Sequence, residues 1–412
     1  MEPEPVRPPP GPVGTAPAAC PVLMLAPYYW PEAIGSAPYC TDLAGVLAAR
    51  GHPVRVLALR PHYPDPAPFV AWADGSRDVE WRDGVAIRRV PTPGRAGGGA
   101  AARLRKDLRY AAAVASMALR PPRPMPQAIL VFVPSALALA AAAFVKWRTG
   151  ARLIAVVHDV ESGLAAATGL MRQPVLLALL RAVERFGLAA ADRRVVPTQP
   201  MAAALRRLGC RGAIDILPLW ARSAPPAPLP PLDRPVLGYG GSFGAKHGLE
   251  TLVPLARALA LRLPAARLVL RGEGAERRRL GAAFAGLGNV AFEDLVPAGR
   301  LAAALQAAHL HLVPQAPGVA DYALPSKALS IMAAGRAFIA VAPPGSPLAH
   351  LAERSGGGVA VPPGDPAALV AVVEALLADS ARLEAMGRAG RAHIGAHMEA
   401  ALVLPRYAEL VL

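Results

Sequence analysis

The chain has 412 residues, 54% of them hydrophobic and 18% charged, with a net charge of +15. That length predicts two domains rather than one core, and the apolar content excludes a disordered chain. Residues 1–234 hold 28 Lys and Arg against 16 Asp and Glu, so +12 of the +15 lies there. A basic half suits an anionic membrane surface or a diphosphate ligand. Nucleic acid is disfavoured, since there is no zinc pattern, RNP-like motif or aromatic-basic alternation.

The opening "MEPEPVRPPPGPVGTAPAA" (1–19) is Pro-rich without an apolar centre, which predicts a disordered tail rather than a signal peptide. "PVLMLAPYYWP" (21–31) begins with a short apolar strand. "SAPYCTDLAGVLAARGH" (36–52) reads as a helix ending at Gly51, and "PVRVLALRP" (53–61) as the next strand. This β-loop-α-β unit implies a parallel sheet with a right-handed crossover. "QAILVFVPSALALAAAAFV" (127–145) has no charge and nearly reaches membrane-spanning length. Its internal Pro-Ser divides it into a buried strand and a buried helix. Further strands are expected at 152–158 and 193–199. Cys20, Cys40 and Cys210 show neither metal spacing nor a disulfide framework, which predicts a reducing, cytoplasmic setting.

Six prolines in residues 225–235 exclude sheet and helix and mark an interdomain linker, placed at 218–235. A second α/β series follows: "VLGYGGSFG" (236–244), "LETLVPLARALALRL" (249–263), "ARLVLRGEG" (266–274), "NVAFED" (289–294), "HLHLVPQ" (309–315) and "RAFIAVAP" (336–343). "GDPAALVAVVEALLAD" places Asp365 as N-cap and Pro366 at the first helical position. The expected boundaries are a first Rossmann-like domain over 20–217, a second over 236–395, and a C-terminal helix at 396–412 that packs back on the first. Two doubly wound α/β domains facing across a cleft is the predicted architecture.

Ligands of such sheets bind at strand carboxyl ends, and the candidate residues collect there. In "GYGGSFGAKHG" (238–248), Gly241 and Ser242 offer backbone amides to a phosphate and Lys246 is in reach of it; a plain βα turn is the bland alternative. Arg271 and Gly274 of "RGEG" offer a second cationic turn. In "ADYALPSKALSIMAAG" (320–335), Ser326 reads as the N-cap of a helix, Leu329, Met332 and Ala333 as its core stripe, and Gly335 as its end. Lys327 is left over: a cation in the first turn opposes the helix dipole unless an anion lies across from it. "AVVHDVESG" (155–163) puts His158, Asp159 and Glu161 at the edge of the first sheet. Two carboxylates alone are thin support for a metal. Gly35, just before a helix, permits close approach to a phosphate or sugar.

These segments together resemble the retaining GT-B glycosyltransferases of family 4, and more narrowly the WcaI/WbuB-like group that builds colanic acid, exopolysaccharides and O-antigens. The matching text runs from "APYYWPEAIGSAPYCTDLAGVLAARGHPVRVLALRPHYP" through "HDVESGLAAATGL", "GYGGSFGAKHGLETL" and "RGEGAERRRL" to "HLVPQAPGVADYALPSKALSIMAAGRAFIAVAPPGS". The resemblance implies a UDP- or GDP-linked sugar donor bound by the C-terminal domain and a lipid-linked or glycan acceptor held by the N-terminal domain. It implies that Lys246, Ser326 and Lys327 touch the diphosphate, with Pro325 also in the donor site. Phe292, Glu293 and Leu295 would frame the base, and Gly35 would lie near the phosphates. His158 and Asp159 would border the reacting sugar, with Tyr39 and Glu161 on the acceptor side. No metal or other cofactor is expected, and the protein would work in the cytoplasm, peripheral at the inner membrane face. Many family members carry two glutamates where this chain has Tyr322 and Ser330. Two other readings stay open: a nucleotide-sugar epimerase of the same fold, and a catalytically weak nucleotide-sugar-binding partner. A nicotinamide enzyme is disfavoured because no GxGxxG follows the first strand.

Overall fold

The computed structural model describes residues 19–33, 35–63, 65–92, 100–133 and 135–412; the expected tail lies outside them up to Ala18. The apolar runs build two sheets. The first half contains, in order, β1 (Val22–Leu25), α1 (Ala37–Ala49), β2 (Val54–Leu59), β3 (Val79–Arg82), β4 (Val85–Val90), α2 (Ala100–Leu119), β5 (Ala128–Val133), α3 (Ala136–Thr149), β6 (Arg152–Val157), α4 (Glu161–Ala167), α5 (Pro174–Ala190), β7 (Arg193–Val196), α6 (Gln199–Arg207) and β8 (Ile214–Ile216). Its sheet runs β3-β4-β2-β1-β5-β6-β7-β8 and is parallel except for β3. Parallel strands covered on both faces read as unbroken apolar runs, and every residue of β5 is buried. The charge-free stretch is therefore β5 followed by α3, whose N-terminus is capped by Ser135 accepting from the Ala138 amide. Among the described residues no helix is long and apolar enough to cross a membrane.

The second half contains β9 (Val236–Gly240), α7 (Leu252–Arg262), β10 (Arg267–Arg271), α8 (Arg277–Ala283), β11 (Val290–Glu293), α9 (Leu301–Gln306), β12 (Leu310–Pro314), α10 (Lys327–Ala333), β13 (Ala337–Val341), α11 (Pro347–Ser355), β14 (Gly358–Val361), α12 (Pro366–Leu377) and α13 (Ser380–His393). Its sheet, β11-β10-β9-β12-β13-β14, is wholly parallel. Asp365 caps α12 through the Ala368 amide, with Pro366 next, as the sequence predicts. Ser326 departs from its expected role. It has helical torsions (φ −60°, ψ −20°) and its side chain makes no cap bond, which leaves the hydroxyl for the cleft. The β3-β4 hairpin turns on Asp83 and Gly84, both at positive φ, and extends the first sheet at its edge.

Residues 217–235 carry the chain between the sheets without a strand or helix of their own. Arg336 holds this stretch, its guanidinium donating to the carbonyls of Ala227 at 3.1 Å and Pro228 at 2.7 Å. The chain then returns after α13, and α14 (Ala400–Ala408) packs on α1. There the Tyr407 hydroxyl donates to Leu217 O, and its ring lies 5.0 Å from that of Trp220. The two crossings lie side by side. Ala221 donates to Met398 O and accepts from the Ala400 amide, both at 2.9 Å. The Glu399 carboxylate takes the Ser223 amide and hydroxyl.

Candidate active site

The strand order reverses around β1 in the first sheet and around β9 in the second. These are the points where adjacent loops part and leave a crevice at the strand carboxyl ends. The two crevices face each other and form one cleft of about 1690 Å³. A single-ligand pocket is roughly 300–1,000 Å³, so this one has room for two substrates.

On the second domain, the β9 loop and the β10 turn interlock. Gly241 donates to Arg271 O and Phe243 to Glu273 O. A Cβ on Gly272 would stand 1.9 Å from Gly241 O, so the approach requires glycine there. Gly241 has φ +131°, and a Cβ on it would sit 3.4 Å from Lys327 Cε. Lys327 thus lies directly over this turn. Its ammonium donates to the Tyr239 hydroxyl at 2.6 Å, and Tyr239 in turn donates to Ser242 O at 2.7 Å. It also approaches His247 Nδ1 at 3.4 Å, while His247 Nε2 lies 3.2 Å from Ser242 Oγ. An ammonium can only donate, so Nδ1 accepts and Nε2 carries the proton. Burial and the two nearby ammonium groups push the His247 pKa well below its ordinary value, consistent with this neutral ring. Burial, then Lys246, push that of Lys327 down too. No carboxylate among the described residues pairs with Lys327.

Lys246 reaches across the cleft instead. It binds both oxygens of Asp159, at 2.8 and 3.0 Å, and ties the second domain to the first. Beside Asp159, His158 stands between the edges of Tyr39 and Phe132, with ring centroids at 5.2 and 5.5 Å. Its Nε2 is shut from solvent and has no partner among the described residues. Burial lowers its pKa to about 4, so the ring is neutral near pH 7. Tyr39 is buried, which pushes its phenol up to about 12, with the Ser326 hydroxyl pulling the other way. Glu161 lines the cleft, yet one of its oxygens is committed to the Ala136 amide at the start of α3.

Gly35, Gly241, Ser242, Lys246, Arg271, Gly274, Glu293, Leu295, Pro325, Ser326 and Lys327 all line the cleft, as do Tyr39, His158, Asp159 and Glu161. Phe292 does not. Neighbours on a strand point to opposite faces, so Phe292 cannot share the wall with Glu293. It packs instead on Phe243 and Phe284 in the core, under the Arg277 guanidinium. Arg271 is not a free cation: β10 and β11 place it opposite Glu293, and the two form an ion pair.

Tyr322 is turned away from the cleft. Its carbonyl accepts from the Val160 amide at 2.9 Å, and its ring covers Gly163 of α4. It therefore joins the two domains, whereas Ser330 does line the cleft. The sequence reading also missed a polar wall on the first domain. Lys106 donates to the Tyr28 hydroxyl at 2.8 Å and lies 3.5 Å from His62 Nε2. Buried Glu32 accepts the His62 and Tyr63 amides. Only "HYP" after β2 hinted at this group; Lys106 comes from a helix 44 residues further on. Among the described residues no three His, Cys, Asp or Glu side chains gather as a metal site requires. Two ammonium groups at a glycine turn, facing a neutral histidine and a carboxylate, can take up an anion and hold a polyhydroxylated ligand beside it.

Comparison with known proteins agrees with this chemistry. Residues 35–220 match the family described as glycosyl transferase 4-like domain, and residues 234–379 the glycosyl transferases group 1. The chain is similar to the putative colanic acid biosynthesis glycosyl transferase WcaI of Escherichia coli (strain K12), 28% identical over 386 residues, 86% of this chain and 92% of that one. It is also similar to the probable glycosyltransferase WbjE of Pseudomonas aeruginosa, 26% identical over 260 residues, 56% and 60% of the two chains. Among solved structures, sucrose-phosphate synthase from Thermosynechococcus elongatus superposes with a TM-score of 0.74 at 21% identity, over 95% of this chain and 98% of that one. Anabaena HepE in complex with UDP-glucose gives 0.67 at 13% identity, over 95% and 99%. With the two family domains in sequence and the two facing parallel-sheet domains that carry them, the chain belongs to the GT-B glycosyltransferases of the family 4 type.

Proposed function

We propose that this enzyme is a retaining glycosyltransferase that moves a sugar from a nucleotide-sugar donor to a lipid-linked or polysaccharide acceptor in cell-surface glycan biosynthesis. The observation that carries the reading is Lys327, a half-buried ammonium without a carboxylate partner among the described residues, poised over Gly241 with Lys246 nearby. Breaking an anomeric C–O bond gathers negative charge on the departing diphosphate. Fixed cations and backbone amides that wait for this charge stabilise the transition state more than the ground state. Lys327 and Lys246 fill that role on this reading, which needs no metal. Lys246 would exchange Asp159 for the diphosphate as the donor arrives. His158 lines the cleft as a neutral ring, and a turn of the imidazole would bring its unsatisfied Nε2 to the transferred sugar. The acceptor hydroxyl passes its proton to the leaving phosphate oxygen on the same face, so no strong base is required and configuration is retained. The UDP-glucose bound to the Anabaena protein and the colanic acid biosynthesis in the Escherichia coli protein's name support donor and pathway class.

A thermal-shift screen across UDP-, GDP- and dTDP-sugars tests the donor assignment. One nucleotide class should stabilise the protein by about 2.7 kcal/mol at a hundredfold excess over Kd. Stabilisation by none of the three would sink the assignment. Nucleotide release that requires added acceptor separates transfer from epimerisation.

A further inference from the structure

One short turn of the second domain, Ala245–His247, carries two polar side chains to different partners. Lys246 crosses to Asp159, whereas His247 stays on its own domain and is buried. The backbone of the turn is pinned. The His247 amide donates to Gly244 O and Lys246 O accepts from the Ala316 amide, both at 3.0 Å. Gly248 follows at φ +58°, where a Cβ would stand 3.1 Å from Ala316 Cα, so the chain leaves the turn pressed on Ala316. The imidazole is thereby held between the β9 loop and α10, with its ring centroid 6.3 Å from that of Tyr239.

Each ring nitrogen meets a group that lines the cleft: Nδ1 the Lys327 ammonium at 3.4 Å, and Nε2 the Ser242 hydroxyl at 3.2 Å. With the proton on Nε2, Ser242 Oγ is the acceptor of that bond, and its own proton stays available to a ligand. The ammonium is left in the same condition. Of its three N–H bonds, Tyr239 takes one and His247 a second, which leaves a third beside Gly241. A neutral ring with one accepting and one donating edge suits this task. A carboxylate in its place would draw Lys327 into an ion pair and cancel the charge that an anion needs, and a second cation would repel it. Burial is the largest cause that keeps the His247 ring neutral, followed by Lys327 and Lys246.

We propose that His247 is a positioning residue, which holds the Ser242 hydroxyl and the Lys327 ammonium as two aligned donors to one diphosphate. The role rests on the nucleotide-sugar donor proposed above and adds to it a second side chain, Ser242, that bonds the diphosphate. The test is calorimetric titration of the full chain with inorganic pyrophosphate, UDP and GDP. His247→Leu should bind the tightest of the three at least about tenfold more weakly, the loss of one aligned hydrogen bond to an anion. His247→Gln carries an acceptor and a donor on one amide and should stay within about threefold of wild type. In a Lys327→Met background the leucine change should cost clearly less than in wild type, because one of the groups it acts through is gone. A role in packing alone would cost the same in both backgrounds and would gain nothing from glutamine. Undiminished binding by His247→Leu, a glutamine variant as weak as the leucine one, or equal losses in both backgrounds would overturn the proposal. Where the leucine variant fails to fold, Ser242→Ala decides: it should weaken binding about tenfold, and an unchanged Kd would overturn the proposal just the same. Wild-type protein that takes up none of the three probes fails the donor assignment itself, whereas wild-type binding that the leucine change leaves intact fails only the role of His247.

Discussion

Replacing Lys327 by Met keeps the side chain's length and removes its charge. A hydrogen bond from a charged donor contributes about 1.5–3 kcal/mol, so the donor Kd should rise roughly 10- to 150-fold. The ligand-free protein should respond in the opposite sense. Lys327 sits partly buried beside a second ammonium, and both causes hold its pKa down. Between that lowered value and the ordinary 10.5 the unfolded chain binds more protons than the native one, so stability rises with pH across this window. The cost of the charge is full below the lowered value and gone above 10.5. Ligand-free K327M should therefore unfold at the same or higher denaturant than wild type near neutral pH, and the difference should shrink near pH ~10. Calorimetric titration with the donor and urea unfolding at the two pH values measure both quantities. An unchanged Kd, or a variant clearly less stable than wild type at neutral pH, would refute the reasoning.

Glu32 supplies a second pH signature. Burial raises its pKa to about 7 against an ordinary 4.5, so its contribution is present below 4.5 and is lost as pH rises through 7. That loss is on the order of 3 kcal/mol. Glu32→Gln still accepts the His62 and Tyr63 amides and should flatten the fall in unfolding midpoint across this window; an unaltered slope would assign it to other groups. At the domain contact, a Cβ on Gly163 would lie 2.2 Å from Tyr322 Cδ1. Gly163→Ala should cost about 1–3 kcal/mol in the wild-type background and much less beside Tyr322→Ala. Equal costs in both backgrounds would show that the ring does not press on α4.

Much of this frame was legible because parallel sheets write themselves as apolar runs divided by glycine and proline. β5, β6, β9, β12 and β13 all fall where those runs predict. The cleft positions followed from the rule that ligands collect at strand carboxyl ends, which located Gly241, Lys246, Lys327 and His158. What stayed hidden depends on contacts between distant segments. Nothing local pairs Lys246 with Asp159 across 87 positions, or brings Lys106 to Tyr28 across 78. Other departures had readable causes. Strand alternation alone separates Phe292 from Glu293, and the parallel register gives Arg271 its partner. The Asp-Gly pair at 83–84 is a hairpin signal between two short alternating runs. Tyr322 is the instructive case: where an acid was expected to hold the donor sugar, the chain has an aromatic ring spent on joining the domains.

The two strands that cross between the domains limit how the cleft can move. A single tether allows bending and swivelling alike. Here the crossings at 221–223 and 398–400 are stitched to each other by backbone bonds and by Glu399. A paired tether resists twist and yields mainly along one axis, as a strap hinge does. Opening should then carry Lys246 directly away from Asp159 while the two cleft walls keep their mutual alignment. Each cycle of donor entry and nucleotide release would return the same ammonium to the same carboxylate.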